Sequence, residues 1–107
     1  MFIQTEETPN PSTLKFLPGK ILLENGTLEF KSQEEAAKNS LASKLFVDEN
    51  VKGVFIGKDF LTVTKSESVA WEILKPTLLS SILDYFSSGG EIENTELETN
   101  QENKKIK

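Results

Sequence analysis

Two prolines that bracket Asn10 constrain this chain more tightly than any other short segment. Each proline fixes its own φ angle and pushes the residue before it out of the helical region. Asn10 and Ser12 can also hydrogen-bond to their own backbone, which favours a defined turn. The sequence therefore predicts a stiff surface loop, Thr8 to Ser12, that joins a strand at 2–6 to a strand at 13–17.

Two further hairpins are predicted, each built around a dipeptide that separates runs rich in strand-forming residues. They join 21–24 to 27–30 through Asn25-Gly26, and 51–57 to 60–64 through Lys58-Asp59. Both strands of the second hairpin are rich in β-branched and aromatic residues. It supplies the predicted floor of the core, which carries Val54, Ile56, Leu61 and Val63.

A helix is predicted to begin at Ser32, because Ser32 and Glu35 form a capping box. Its apolar positions recur at a spacing of four, which predicts a buried stripe at Ala37, Leu41 and Leu45. The pair Asn39-Ser40 competes for backbone hydrogen bonds and can interrupt this helix. Ser40 is then the predicted cap of a second short helix at 41–46.

The last predicted element is a helix at 69–86, with Gly89 as its stop signal. Pro76 lies inside it and predicts either a kink or a separate first helix. Trp71 has two interpretations, a plug in the core or an exposed anchor for a partner, and its helical spacing favours the core. The apolar positions are Ile73, Leu74, Leu78, Ile82, Leu83 and Phe86.

These elements predict an α+β fold, a two-layer sandwich in which two helical segments cover a mainly antiparallel sheet of four to five strands. With 107 residues, the chain is long enough for one compact domain, which we place at 1–89. Residues 90–107 are acidic and polar, so their burial cannot offset their ordering entropy. We expect a disordered tail there, or the start of an interdomain linker.

Composition excludes several functional classes. The formal net charge is −5 without a clustered basic face, which argues against a nucleic-acid partner. No apolar run is long enough for a bilayer, and the amino terminus lacks the features of a signal peptide, so no membrane partner is expected. The chain contains no cysteine and no histidine. It therefore lacks the usual thiolate and imidazole ligands, and also the usual proton-transferring side chain.

Neither a catalytic residue nor a metal ligand is predicted in this chain. Ser80-Ser81 and Ser87-Ser88 have no nearby base in the sequence, so we interpret them as solvent-facing. The carboxylate pairs do not follow the spacing of a calcium loop, and we interpret them as charged surface. These pairs are Glu6-Glu7, Glu34-Glu35 and Asp48-Glu49.

Many short motifs, in order from Met1 to about Gly89, resemble the N-terminal domain of Nfu-type (NifU-like) iron–sulfur cluster scaffold proteins. The resemblance rests on the order and spacing of all of them together. The motifs are Phe2-Ile3-Gln4-Thr5, Thr8-Pro9-Asn10-Pro11, Leu14-Lys15-Phe16-Leu17-Pro18-Gly19, Asn39-Ser40-Leu41-Ala42 with Leu45-Phe46, Val51-Lys52-Gly53-Val54-Phe55-Ile56-Gly57, Asp59-Phe60-Leu61-Thr62-Val63-Thr64-Lys65, and Trp71 with Leu74-Lys75-Pro76 and Ile82.

The resemblance implies a non-catalytic domain that takes part in iron–sulfur cluster assembly and transfer through protein–protein contacts. In that family a separate C-terminal domain holds the cluster with a C-x-x-C pair. The implied partners are this cysteine-bearing cluster domain and iron–sulfur client or donor proteins. The implied location is the cytoplasm of a bacterium or, after processing, the mitochondrial matrix. Iron is thus implied for the full-length family member and not for this chain alone.

The expected partner-binding face combines the proline loop with the turn of the 51–64 hairpin. A rigid, polar and exposed loop loses little entropy when a partner docks, and a nearby aromatic residue can extend its surface. The face comprises Thr8, Pro9, Asn10, Pro11, Ser12, Asp59 and Phe60. Two alternatives stay open on the residues alone: a well-made turn with no further role, and a stand-alone interaction or regulatory module unrelated to iron.

Overall fold

The structure, a computed structural model, describes residues 2–87. The described chain contains five strands and three helices. In order they are β1 (Gln4–Glu7), β2 (Thr13–Leu17), β3 (Leu28–Phe30), α1 (Gln33–Ala36), α2 (Ser40–Leu45), β4 (Val51–Ile56), β5 (Leu61–Lys65) and α3 (Trp71–Ser87). None of the helices between residues 2 and 87 has the length and apolar character that a membrane crossing requires.

The strands form one sheet in the order β1-β2-β5-β4-β3, and all four neighbouring pairs are antiparallel. The hairpins β1–β2 and β4–β5 pair with each other through β2 and β5. β5 is therefore the central strand, and β1 and β3 lie at the two edges. Helices cover one face of this sheet. The predicted α+β class, with a mainly antiparallel sheet of four to five strands, is confirmed.

The core lies between the helices and one face of the sheet. Val54 is opposite Val63 and Ile56 is opposite Leu61, as predicted, and none of the four is more than 2% exposed. Burial of one such side chain stabilises the fold by about 1.5–3 kcal/mol. The helices contribute Leu41, Leu45, Leu74, Leu78 and Ile82 to the same core.

Two side-chain caps start the first two helices. Ser32 Oγ accepts a hydrogen bond from the backbone N–H of Glu35 at 3.2 Å, which confirms the predicted start of α1. The cap of α2 is Asn39, whose Oδ1 accepts from Ala42 N–H at 2.9 Å. The prediction that Ser40 is this cap was wrong, since Ser40 is already helical. Asn39 is buried, and the cap bond satisfies its side-chain oxygen.

Helical spacing alone misplaced three apolar residues. Ala37 is the C-cap of α1 and is exposed, whereas its neighbour Ala36 is buried. The chain breaks between α1 and α2, so the spacing of four does not continue from one helix into the next. On α3, Ile73 and Leu83 are 69% and 37% exposed, whereas Leu78 is fully buried. The core-facing stripe of α3 is therefore narrower than its apolar composition indicates.

The predicted hairpin of strands 21–24 and 27–30 was wrong. Residues 21–24 form no strand, and β3 pairs with β4 instead. Leu22 and Leu23 are both buried, although consecutive residues of a strand point to opposite faces. Their N–H groups both donate to the carbonyl of Lys58, which fixes this segment against the β4–β5 turn. Gly26 does adopt a positive φ, +72°, in an exposed bend.

Pro76 lies inside a single helix, so the alternative of a separate first helix was wrong. Because Pro76 has no N–H, the carbonyl of Glu72 loses its usual i+4 donor. The predicted stop at Gly89 and the predicted tail at 90–107 lie outside the described residues.

Candidate interaction site

The proline loop between β1 and β2 is held by hydrogen bonds among its own residues. The Thr8 hydroxyl lies 2.9 Å from the carbonyl oxygens of both Asn10 and Thr13, and it accepts from Asn10 N–H at 3.1 Å. Asn10 Oδ1 accepts from Ser12 N–H, and the Asn10 carbonyl accepts from Thr13 N–H, both at 2.9 Å. These bonds give the loop one defined conformation, as its two prolines predict.

Two other elements fasten this loop to the body of the domain. The indole Nε1–H of Trp71, the first residue of α3, donates to the Pro11 carbonyl at 2.9 Å. The backbone N–H of Lys65, at the end of β5, donates to the Ser12 carbonyl at 2.8 Å. The Lys65 ammonium lies 5.6 Å from the centre of the Trp71 ring, within the range of a cation–π contact. The Trp71 ring packs half-buried against the core, as the favoured interpretation predicts, and its indole N–H holds the loop. The interpretation of Trp71 as an anchor for a partner stays a prediction.

Beside the loop lies a half-open groove of about 610 Å³, which is within the usual volume of ligand-binding clefts. One wall is formed by β1 and the loop, and the other by the first turns of α3. Glu7 and Lys75 line the groove, and neither forms an ion pair with another residue of 2–87. The complete lining is Thr5, Glu7, Thr8, Pro9, Asn10, Pro11, Thr13, Leu14, Trp71 and Lys75.

The other part of the predicted face is the turn between β4 and β5. Gly57 N–H donates to the Phe60 carbonyl at 2.9 Å and closes this turn. The half-buried Phe60 ring stacks on Phe55 with a centroid distance of 6.0 Å, and the Lys15 ammonium lies 4.8 Å from its centre. Asp59 is exposed and lines a second, shallower groove of about 450 Å³.

The structure does not bring the two parts of the predicted face together. Ser12 accepts a hydrogen bond from Lys65 at one end of the β2–β5 pair, whereas Phe60 precedes Leu61, which pairs with Phe16 at the other end. At about 3.3 Å per strand residue, the proline loop and the β4–β5 turn are about 16 Å apart along the sheet. They are two separate candidate surfaces.

The described residues offer no arrangement typical of a metal centre or a catalytic triad. Between residues 2 and 87, no three side chains among His, Cys, Asp and Glu form a group that could hold a metal ion. Ser80 is exposed on α3, and Ser81 is half-buried there. The proline-loop groove brings together a hydrogen-bonded loop, one aromatic side chain and two side chains of opposite charge, Glu7 and Lys75.

Sequence reasoning missed the α3 wall of this groove. The contact between Trp71 and Pro11 spans 60 residues, so no local pattern signals it. In the sequence, nothing distinguishes Lys75 from the other lysines expected at the surface. The one available signal was the presence of a single tryptophan at the start of a helix, since buried or half-buried indole N–H groups usually find an acceptor.

Comparison with known proteins places this fold in a family. A sequence model described as "Scaffold protein Nfu/NifU N terminal" matches residues 3–89. Over 90 residues the chain is 51% identical to the human "NFU1 iron-sulfur cluster scaffold homolog, mitochondrial". Over 89 residues it is 48% identical to "NifU-like protein 5, mitochondrial" of Arabidopsis thaliana. Each alignment covers 83% of this chain but 35% and 32%, respectively, of those two proteins.

A solved structure shows the same fold. The solution NMR structure of a NifU-like protein from Saccharomyces cerevisiae superposes with a TM-score of 0.76 at 29% identity. The match covers 89% of this chain and 86% of that one. The chain spans about a third of the length of the curated relatives that it matches. This chain therefore belongs to the Nfu/NifU family of iron–sulfur cluster scaffold proteins, in which residues 3–89 correspond to the N-terminal domain.

Proposed function

We propose that this domain takes part in iron–sulfur cluster assembly and transfer as a non-catalytic contact module. The cluster is the cargo, and cysteines of a separate domain or partner hold it, since clusters are bound by thiolates and this chain has neither cysteine nor histidine. Family membership supports the pathway. The names of two relatives, which call them a cluster scaffold homolog and a NifU-like protein, point the same way.

One observation carries the contact role: the proline loop is already fixed beside an open groove. The bonds from Trp71 and Lys65 hold the loop carbonyls of Pro11 and Ser12 before any partner arrives. A preorganised surface loses little conformational entropy on association, so more of the contact energy appears as affinity. The groove beside the loop favours this role over the alternative of a well-made turn with no further role.

The groove suggests how a partner binds. Within residues 2–87, β1 is an edge strand that pairs with β2 alone. A partner segment that lies along β1 would extend the sheet and place alternate side chains between β1 and α3, as in recognition by strand addition. Glu7 and Lys75 then present one negative and one positive charge to the bound segment. We propose that the partner is the cysteine-bearing cluster domain or an iron–sulfur client protein that supplies such a segment.

Two further parts of the proposal concern boundaries and location. We propose that the compact domain ends near Gly89 and that 90–107 begin a linker, because the family match ends at residue 89. We also propose a mitochondrial location, since the names of the human and Arabidopsis thaliana relatives place those proteins in mitochondria. Organelle fractionation with an antibody to this domain tests the location.

The function is tested by titrating the isotope-labelled chain with the cysteine-bearing domain of a family member, once empty and once loaded with cluster, while amide and indole shifts are followed. We expect shifts at Thr8 to Ser12 and at the Trp71 indole. Lys75→Glu should weaken binding, and Lys38→Glu, an equal charge change outside the groove, should not. Shifts that avoid both 8–12 and 59–60 would refute the choice of surface. Failure of every cluster-bearing partner to bind would favour the module unrelated to iron.

A further inference from the structure

Asn25 and Gly26 form an exposed bend between the buried Leu23 and β3. Both residues are exposed, and neither forms a hydrogen bond with any other residue of 2–87. Gly26 has a φ of +72°, and a Cβ built on it would meet no atom within 4 Å. Within residues 2–87, no hydrogen bond therefore holds the backbone N–H of Gly26 away from the side-chain amide of Asn25.

We propose that Asn25 is a site of spontaneous deamidation in the folded protein. The backbone nitrogen of Gly26 attacks the side-chain carbonyl carbon of Asn25 and forms a five-membered succinimide. The bond from that carbon to the side-chain nitrogen breaks, and ammonia leaves with the proton that Gly26 loses. Water then opens the ring at either carbonyl and leaves aspartate or isoaspartate at position 25. No atom is oxidised or reduced, and solvent water is the only co-reactant.

The same reaction is blocked at Asn10 by the next residue in the sequence and at Asn39 by the fold. Asn10 precedes Pro11, whose nitrogen carries no hydrogen and cannot close the ring. Asn39 is only 5% exposed, and its side-chain oxygen accepts the capping bond from Ala42. Ring closure at Asn39 therefore requires local opening of the start of α2.

The remaining asparagine of the described residues, Asn50, is also restrained. It is half-buried, its N–H donates to Asp48 Oδ1 at 2.9 Å, and its carbonyl accepts from Ser66 at 2.7 Å. The nitrogen that would attack belongs to Val51, which donates its proton to the Asp48 carbonyl at 3.0 Å and has a β-branched side chain beside it. Among residues 2–87, the structure leaves Asn25 alone unprotected.

The modified domain keeps its fold. Aspartate at position 25 adds one negative charge to a solvent-exposed bend, and isoaspartate adds one main-chain carbon there. The flanking anchors are the buried Leu23, which donates to the Lys58 carbonyl, and Leu28 at the start of β3. Neither anchor includes the modified residue, so the core and the sheet tolerate the change.

The test is to incubate the native chain at neutral to mildly alkaline pH and to measure deamidation of each asparagine by peptide mass spectrometry. We expect Asn25 to react about tenfold or more faster than Asn39 or Asn50, because each 1.4 kcal/mol of local opening slows a protected site tenfold. Circular dichroism should stay unchanged as a more acidic species accumulates on an ion-exchange column.

Two variants and a denatured sample serve as controls. Asn25→Gln lengthens the side chain, disfavours the five-membered ring and should stop the acidic species from forming. Gly26→Ala crowds the attacking nitrogen and should slow the reaction severalfold. In denaturant, the deamidation rates of Asn39 and Asn50 should rise relative to that of Asn25. Equal rates at the three sites in the native chain, or an acidic species that still forms in Asn25→Gln, would overturn the proposal.

Discussion

Replacement of Gly57 by alanine tests how the β4–β5 turn holds Phe60. Gly57 is buried and does not adopt a positive φ, so its backbone accepts any residue. The constraint is space: a Cβ added at Gly57 would lie 2.6 Å from Phe60 Cζ and 2.9 Å from its Cδ1. The alanine therefore forces the Phe60 ring away from its present position.

The cost follows from the contacts that the ring loses. The stack with Phe55 stabilises the fold by about 0.5–1.5 kcal/mol, and an exposed contact with Lys15 adds about 0.5–1 kcal/mol. Alanine also restricts the unfolded chain, which offsets about 0.4–1 kcal/mol. We expect a net destabilisation of about 1 kcal/mol, which in a domain of this size lowers the melting temperature by about 4–8 °C.

The matched control is Gly53→Ala on β4, the strand that ends just before Gly57. A Cβ there would lie 3.6 Å from Thr64 Cβ, an ordinary contact, so this variant should be neutral or up to about 1 kcal/mol more stable. Denaturant unfolding gives both free energies, and ring-current shifts around Phe55 report whether the Phe60 ring has moved. Gly57→Ala with unchanged stability and an unmoved ring would refute the steric argument.

Two further substitutions probe the loop anchor and the core. Trp71→Phe keeps an aromatic side chain but removes the hydrogen bond to Pro11, which should cost about 0.5–1.5 kcal/mol and speed hydrogen exchange of the loop amides; unchanged exchange would show that the indole N–H does not order the loop. Leu78→Ala should cost about 2–5 kcal/mol in denaturant unfolding because Leu78 is fully buried, whereas Ile73→Ala, at an exposed position of the same helix, should stay within about 0.5 kcal/mol; equal effects would contradict the orientation of α3.

The strands were predictable from sequence wherever a local pattern and a short connection coincided. The β1–β2 and β4–β5 hairpins close through short loops, so their partners are neighbours in the chain. The hairpin around Asn25-Gly26 failed because its turn signal is real but its upstream run, 21–24, is bound elsewhere, to the Lys58 carbonyl. A local turn propensity specifies a bend and does not specify which strands pair.

The candidate site was predictable only in part for a related reason. The turn of the proline loop is encoded by residues within the loop itself, and the structure contains the hydrogen bonds that these residues predict. The groove is formed by α3, whose approach to β1 depends on how the whole core packs around Leu74 and Leu78. The packing of the core places Lys75 and the indole of Trp71 beside the loop. No spacing pattern in the sequence predicts this contact.

The separation of the two candidate surfaces leads to a last prediction. The proline loop depends on Trp71, and the β4–β5 turn depends on the packing of Phe60 against Gly57, with about 16 Å of sheet between them. Stability effects at sites farther apart than about 10 Å usually add within about 0.5 kcal/mol. The double variant Trp71→Phe, Gly57→Ala should therefore lose the sum of the two single effects in denaturant unfolding. A larger deviation would mean that the sheet couples the stability of its two ends.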